Sequence, residues 1–225
     1  MTISQAAFWN AEYNTTMSST LIFRELQGDR TGLVPLSVEQ YHRMIAENIL
    51  PEDPAVELLD GQLFRKDRSH RGADPITIGH HHQWAIDNLA SLLSDLKAQG
   101  CYLRTQAPIT IEPDSEPEPD LAIVRGLPND YRDRHPGPAD VLCVIEVADS
   151  SLSRDRSTKR RIYADAGIAR YLLINLVDGV VEDHREPIRG EARYAQTVVL
   201  TKSQLVSVSL NQGSSIELSV EKLLP

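Results

Sequence analysis

The stretch from Val141 to Leu176 constrains the fold more than any other part of this chain. Its first five residues, Val-Leu-Cys-Val-Ile, are apolar and read as a buried strand, and Glu146 follows them directly. "SSLSRDRSTKRRIYADAG" then reads as a loop entering a helix that Gly167 stops, and the apolar "ARYLLINL" is a second strand. A helix crossing between two strands packs on the face of the sheet they share, so a layered α/β or α+β domain follows. Glu146 is out of place in such a strand, because an ionised carboxylate beside apolar residues is costly to desolvate without a cation partner. The nearest lysine, Lys159, falls on the following helix.

The remaining elements fit around this unit. Ser37 with Gln40 three positions on is a capping-box pattern that starts a short helix at "LSVEQYHRMI". Asp60-Gly61 between two short apolar runs marks a hairpin whose first strand carries Glu57. "DPITIGHHHQWAIDNLASLLSDLKAQG" reads as a long helix with Asp74 as N-cap, Pro75 at its first position and Gly100 as its stop. Its apolar stripe holds Ala85, Ile86, Leu89, Leu93 and Leu96; His82 is in phase with that stripe and His81 is offset. Strands are expected at Cys101–Thr105 and Ile109–Glu112, after which the acidic "EPDSEPEPD" delivers Asp120 to the start of "LAIVR". Asp178-Gly179 turns the chain into "VVEDHR", and "YAQTVVL", "LVSVSL" and "SIELSV" complete the strand set. Residues 1–35 read as an extension and 36–225 as one domain, a mostly antiparallel sheet with helices against it and extra hairpins.

The balance of 23 basic against 32 acidic residues gives a net charge of −9, which excludes a global attraction for nucleic acid. Contact with a phosphate backbone must use a local patch, and "RSTKRR" with Arg154 and Arg156 is one, to which Arg125, Arg132 and Arg134 add. The two cysteines are too far apart for a C-x-x-C motif, and Cys143 reads as a small buried thiol. No apolar run is long enough to span a bilayer and the N-terminus has no signal pattern, so a cytoplasmic protein with no membrane contact is expected.

Asp120 begins one strand and Glu146 ends another. If those strands are antiparallel neighbours, both carboxylates reach the same edge of the sheet, where a hard divalent cation takes such a pair. A cation beside such a pair would position a nucleophilic water or stabilise developing charge, and Lys159 could supply it. These residues resemble the PD-(D/E)XK nuclease superfamily, and within it the Uma-type branch of restriction-endonuclease-like proteins. Pro119-Asp120, "VIEV" around Glu146, and Asp155, Lys159, Tyr163, Gly167 and Tyr171 at four-residue steps carry the likeness, over roughly Leu36 to Arg185.

The resemblance implies a restriction-endonuclease-like core with a central mixed sheet, and an Mg²⁺-dependent endonuclease, with Mn²⁺ as substitute, acting on DNA as a homodimer. It implies that the lysine usual two residues after the glutamate, where Ala148 stands, has moved to the helix as Lys159, with Asp155 one turn before to orient it. It also draws in Glu57 and a histidine at the helix start, His82 by its spacing to Leu89 and Leu93, so that Asp120, Glu146 and His82 would hold the metal. Arg170, Leu172 and Asn175 depart from the branch's usual Glu, Trp and Asp. The alternatives are a catalytically quiet module of the same fold that binds nucleic acid or a protein, and a hydrolase of a smaller phosphate ester.

Overall fold

A computed structural model describes residues 34–50, 56–66 and 79–225. The helix start expected at Asp74-Pro75 and residues 1–33 of the extension lie outside the described residues. Ser37 and Gln40 form the expected reciprocal cap at the start of α1 (Val38–Ala46). Strands β1 (Val56–Leu59) and β2 (Gln62–Arg65) pair antiparallel around Asp60 and Gly61, which both take positive φ, at 49° and 71°. Gly61 is required twice over: a Cβ there would sit 2.7 Å from Pro35 Cα and 2.9 Å from Leu36 N. Helix α2 (His80–Leu92) continues as a 3-10 segment, Ser94–Gln99, and Gly100 caps it in the left-handed region.

Six strands make the central sheet: β3 (Cys101–Thr105), β4 (Leu121–Arg125), β5 (Val141–Ala148), β6 (Arg170–Asn175), β7 (Val180–Ile188) and β8 (Arg193–Leu200), in that spatial order. All neighbours are antiparallel except β5 and β6. That parallel pair requires the crossover helix read from the sequence. The crossover is a helical segment, 152–166, in which a turn at Leu152–Arg154 and a π-helical stretch at Asp155–Lys159 lead into α3 (Arg160–Ala166). One face of the sheet packs Leu121, Ile123, Ile145 and Leu172 against α2 and the hairpin of β9 (Leu205–Ser209) and β10 (Ser215–Ser219). The other packs Val144, Tyr171 and Leu173 against Ile162 and Tyr163 of α3.

Two local expectations are corrected. Residues 109–112 form no strand, although Ile109 and Ile111 are buried; the N–H groups of Ile109, Thr110 and Ile111 bond to Pro117, Pro136 and Ser115 in turn, so no one strand runs beside them. The backbone instead closes a tight loop, with Ile111 and Ser115 exchanging hydrogen bonds. Glu146 does not end its strand either, because β5 runs on to Ala148 with all eight residues buried, as a central strand covered on both faces must be. Among the described residues no helix is long and apolar enough to cross a membrane.

Candidate active site

Strands β4 and β5 are antiparallel, and their register, with Leu121 opposite Ile145, brings Asp120 beside Glu146. The Asp120 N–H donates to Glu146 Oε2 at 3.2 Å, and the Val147 N–H donates to Asp120 Oδ2 at 2.8 Å. Strand alternation turns Glu146 to the same face as Val144 and Ala148, beneath the helical crossover. There Lys159 Nζ, only 5% exposed, meets Glu146 Oε1 at 2.9 Å and Glu57 Oε2 at 3.2 Å. The hairpin therefore delivers Glu57 to the acids from its own small sheet, and the Glu118 N–H also bonds Glu57 Oε2, at 3.2 Å. His82, buried near the start of α2, places Nε2 3.3 Å from Asp120 Oδ2, whereas His81 is exposed. All five residues read from the sequence, Glu57, His82, Asp120, Glu146 and Lys159, thus converge.

Asp155 is buried on the same turn as Lys159 and acts on it through its charge, without coming within ion-pair distance. A residue to which the sequence assigned no role fills the direct position: Tyr163 donates its hydroxyl to Glu146 Oε1 at 2.9 Å. Its signal was the four-residue step from Lys159, which puts both side chains on one face of the helix.

Burial pushes the Glu146 carboxyl up to about 8; the Lys159 ammonium opposes the shift, and Asp155, Asp120 and Glu57 add to it. Asp155 is raised too, again chiefly by burial. Burial alone would lower Lys159, but Glu146, Glu57 and Asp155 outweigh it and hold the ammonium charged. Burial would lower His82, but its hydrogen bond and charge interaction with Asp120, together with the Val147 backbone and the Asp155 charge, outweigh it and raise the imidazole. The buried site thus holds more carboxylates, Glu57, Asp120, Glu146 and Asp155, than cations to neutralise them. Among the described residues no three His, Cys, Asp or Glu side chains already form a metal-holding set. The donor chemistry nevertheless fits a hard cation: two neighbouring carboxyl groups, a Glu146 proton that a cation could replace, and an Asp120 side chain still 16% exposed.

The basic patch expected to face DNA is largely committed within the protein. Arg154 donates to the Arg65 carbonyl at 2.9 Å, Arg161 pairs with Asp60, and Arg156 pairs with Glu182 and, at 3.1 Å, with Asp178. Two of these contacts clamp the β1–β2 hairpin to the crossover. Arg125 lies at the opposite end of β4 from Asp120, where it bonds Asn211.

A mixed sheet with two acids at the meeting of adjoining strands and a lysine from the crossover helix places the chain in the nuclease-like class of α+β folds. More specifically, it belongs to the Uma2 family, described as putative restriction endonuclease, whose model matches residues 38–221. A crystal structure of a putative nuclease belonging to DUF820 from Anabaena variabilis shares the fold, with a TM-score of 0.59 and 18% sequence identity, over 84% of this chain and 97% of that one. No curated protein matches the chain.

Proposed function

We propose that this protein is a divalent-metal-dependent endonuclease that hydrolyses DNA phosphodiester bonds at the site built from Asp120, Glu146 and Lys159. The observation that carries the reading is Lys159 at 2.9 Å from Glu146 and 3.2 Å from Glu57, a buried ammonium at the edge of a carboxylate pair. Mg²⁺ or Mn²⁺ held there would lower the pKa of a bound water and neutralise charge on the phosphate. Asp120 and Glu146 would be its protein ligands. His82, expected as a third ligand, meets Asp120 at 3.3 Å, where it would hold that carboxylate at the edge of the metal site, and Tyr163 with the Asp120 N–H fixes the rotamer of Glu146. Lys159, kept protonated by its acids, donates to the attacking water or to the oxyanion that develops on the phosphate. Glu57 shares the ammonium and sets its position.

The same geometry supports a second reading, a catalytically quiet domain, because Glu146 already spends Oε1 on Lys159 and Tyr163 and Oε2 on the Asp120 N–H. Cleavage of end-labelled DNA with Mg²⁺, set against EDTA and Asp120→Ala, separates the two. Metal-dependent cutting lost in the variant supports the endonuclease; no cutting by the metal-loaded wild type supports the quiet domain.

A further inference from the structure

An open cleft of about 900 Å³ lies between α1, β3 and the segment 131–138, with His42, Arg104, Tyr131, Arg134 and His135 among its walls. Strand register fixes its relation to the acids. Arg104 is opposite Ala122, and Ala122 is opposite Val144, so Arg104 shares the sheet face of Val144 and Glu146. The segment 116–120 joins the two places. Glu116, at the cleft end, is buried and accepts from His42 Nε2 at 2.8 Å and from the Thr110 hydroxyl at 2.7 Å. Asp120 comes four residues later, at most about 14 Å along the chain.

The charges in this cleft are unequally matched. Arg134 pairs with Asp140 at 2.7 Å and lies over the Tyr131 ring, 4.8 Å from its centroid. Arg132 pairs with Asp133 at 3.4 Å, and the exposed Glu112 is the other carboxylate on the walls. Arg104 differs: among the described residues no carboxylate lies within ion-pair distance of it. Its Nη2 meets His135 Nδ1 at 2.8 Å, and its Nε is buried without an acceptor. A guanidinium keeps its proton, so in this contact the imidazole must present a lone pair and stay neutral. Burial and then Arg104 hold His135 below its usual value, against the pull of Glu116 and Glu118 and with the help of His42. A half-buried guanidinium without a counter-anion is costly, and its planar fork matches the oxygens of a phosphate.

We propose that this cleft is a phosphate-binding subsite in which Arg104, flanked by His135 and His42, holds a phosphodiester of the strand whose neighbouring bond the acidic site cuts. The oxyanion chemistry comes from the cleft itself, while the identity of the strand rests on the nuclease reading. The bound phosphate would give Arg104 its counter-anion and draw the guanidinium off His135 Nδ1, so that the freed imidazole can take a proton and donate to the same oxyanion, and affinity comes from charge and register and carries no base recognition.

The test has two arms on the full chain. In the first, NMR follows the His135 imidazole through a pH titration with and without inorganic phosphate. Phosphate should raise its midpoint in the wild type and leave it unmoved in Arg104→Gln, with partial recovery in Arg104→Lys, whose circular dichroism checks the fold. In the second, anisotropy of labelled duplexes in EDTA should show Arg104→Gln weakening unrelated sequences equally and lowering the salt slope by about one. A wild-type His135 that ignores phosphate overturns the subsite. An unchanged salt slope in a folded Arg104→Gln also overturns it and leaves the nuclease reading standing. A phosphate response without DNA binding supports the oxyanion site and overturns a nucleic-acid strand as its ligand.

Discussion

Lys159 Nζ and Glu146 Oε1 are 2.9 Å apart, yet the lysine comes from a helical crossover and the glutamate from the middle of a buried strand. The π-helical stretch Asp155–Lys159 is where the crossover supplies the cation. Ala148, two residues past Glu146 on the same face, is fully buried and belongs to the same apolar cluster as Tyr163. The strand position thus serves packing, and the charge reaches the acids from the layer above.

Lys159→Met is expected to abolish cleavage while metal binding, measured by calorimetry, persists. Removing the ammonium leaves Glu57 and Glu146 without their shared cation, and breaking a buried pair in this way costs about 3–5 kcal/mol. The cost should shrink as pH falls below about 8, where Glu146 takes up a proton in compensation. Full cleavage activity in a folded Lys159→Met would rule out this lysine as the catalytic cation.

The strand, helix, strand unit was legible because its period and stop signals are local, and the antiparallel register of β4 and β5 then placed Asp120 and Glu146 together. Lys159 was found because a charge in an apolar run demands a partner. Long-range commitments were not legible. Nothing near "RSTKRR" tells that Arg161 will meet Asp60, or that Arg156 will meet Glu182 on β7. The same holds for Tyr163, whose spacing was visible but whose acceptor depended on how α3 docks. Residues 109–112 were misread because apolar spacing marks burial, whereas a strand also needs a partner, and here the backbone N–H groups go to three separate loop residues.

His82→Ala should impair cleavage more than His81→Ala. His82 is 6% exposed and sits 3.3 Å from Asp120, whereas His81 is exposed and stacks edge-on with His80. Steady-state cleavage by both variants is the check, and a larger loss at His81 would overturn the assignment of His82 to the site.

The hairpin that carries Glu57 gives a prediction in which two nearby variants differ. Gly61→Ala forces a side chain into positive φ and against Pro35, so a loss of about 1–3 kcal/mol is expected, together with reduced cleavage as Glu57 shifts. Arg161→Ala removes a half-exposed pair with Asp60 and should cost about 1 kcal/mol or less. Because Arg161 is turned to the hairpin, its loss should leave the salt dependence of DNA binding unchanged in anisotropy titrations. A slope that falls by about one would return Arg161 to the phosphate-contacting set.

The pH dependence of stability tests the acid pair without any assay of activity. Glu146 titrates at about 8 in the folded protein against an ordinary 4.5, because burial disfavours its charge. A carboxyl raised by folding binds more protons in the native state, so its stabilisation is complete below 4.5 and is lost as pH rises through 8. Asp155 and His82 are raised as well and act in the same direction, each above its own ordinary value. Lys159 is also raised, but its contribution is present throughout this window and fades only above its ordinary 10.5. In EDTA, the melting temperature should therefore fall between pH 6 and pH 9, and Glu146→Gln should flatten that fall. A divalent cation competes with the proton for the same oxygens, so Mg²⁺ or Mn²⁺ should stabilise the wild type more at pH 9 than at pH 6. Asp120→Ala should lose this response to metal. An equal gain at both pH values, or the same gain in Asp120→Ala, would remove Asp120 and Glu146 as the pair that holds the cation.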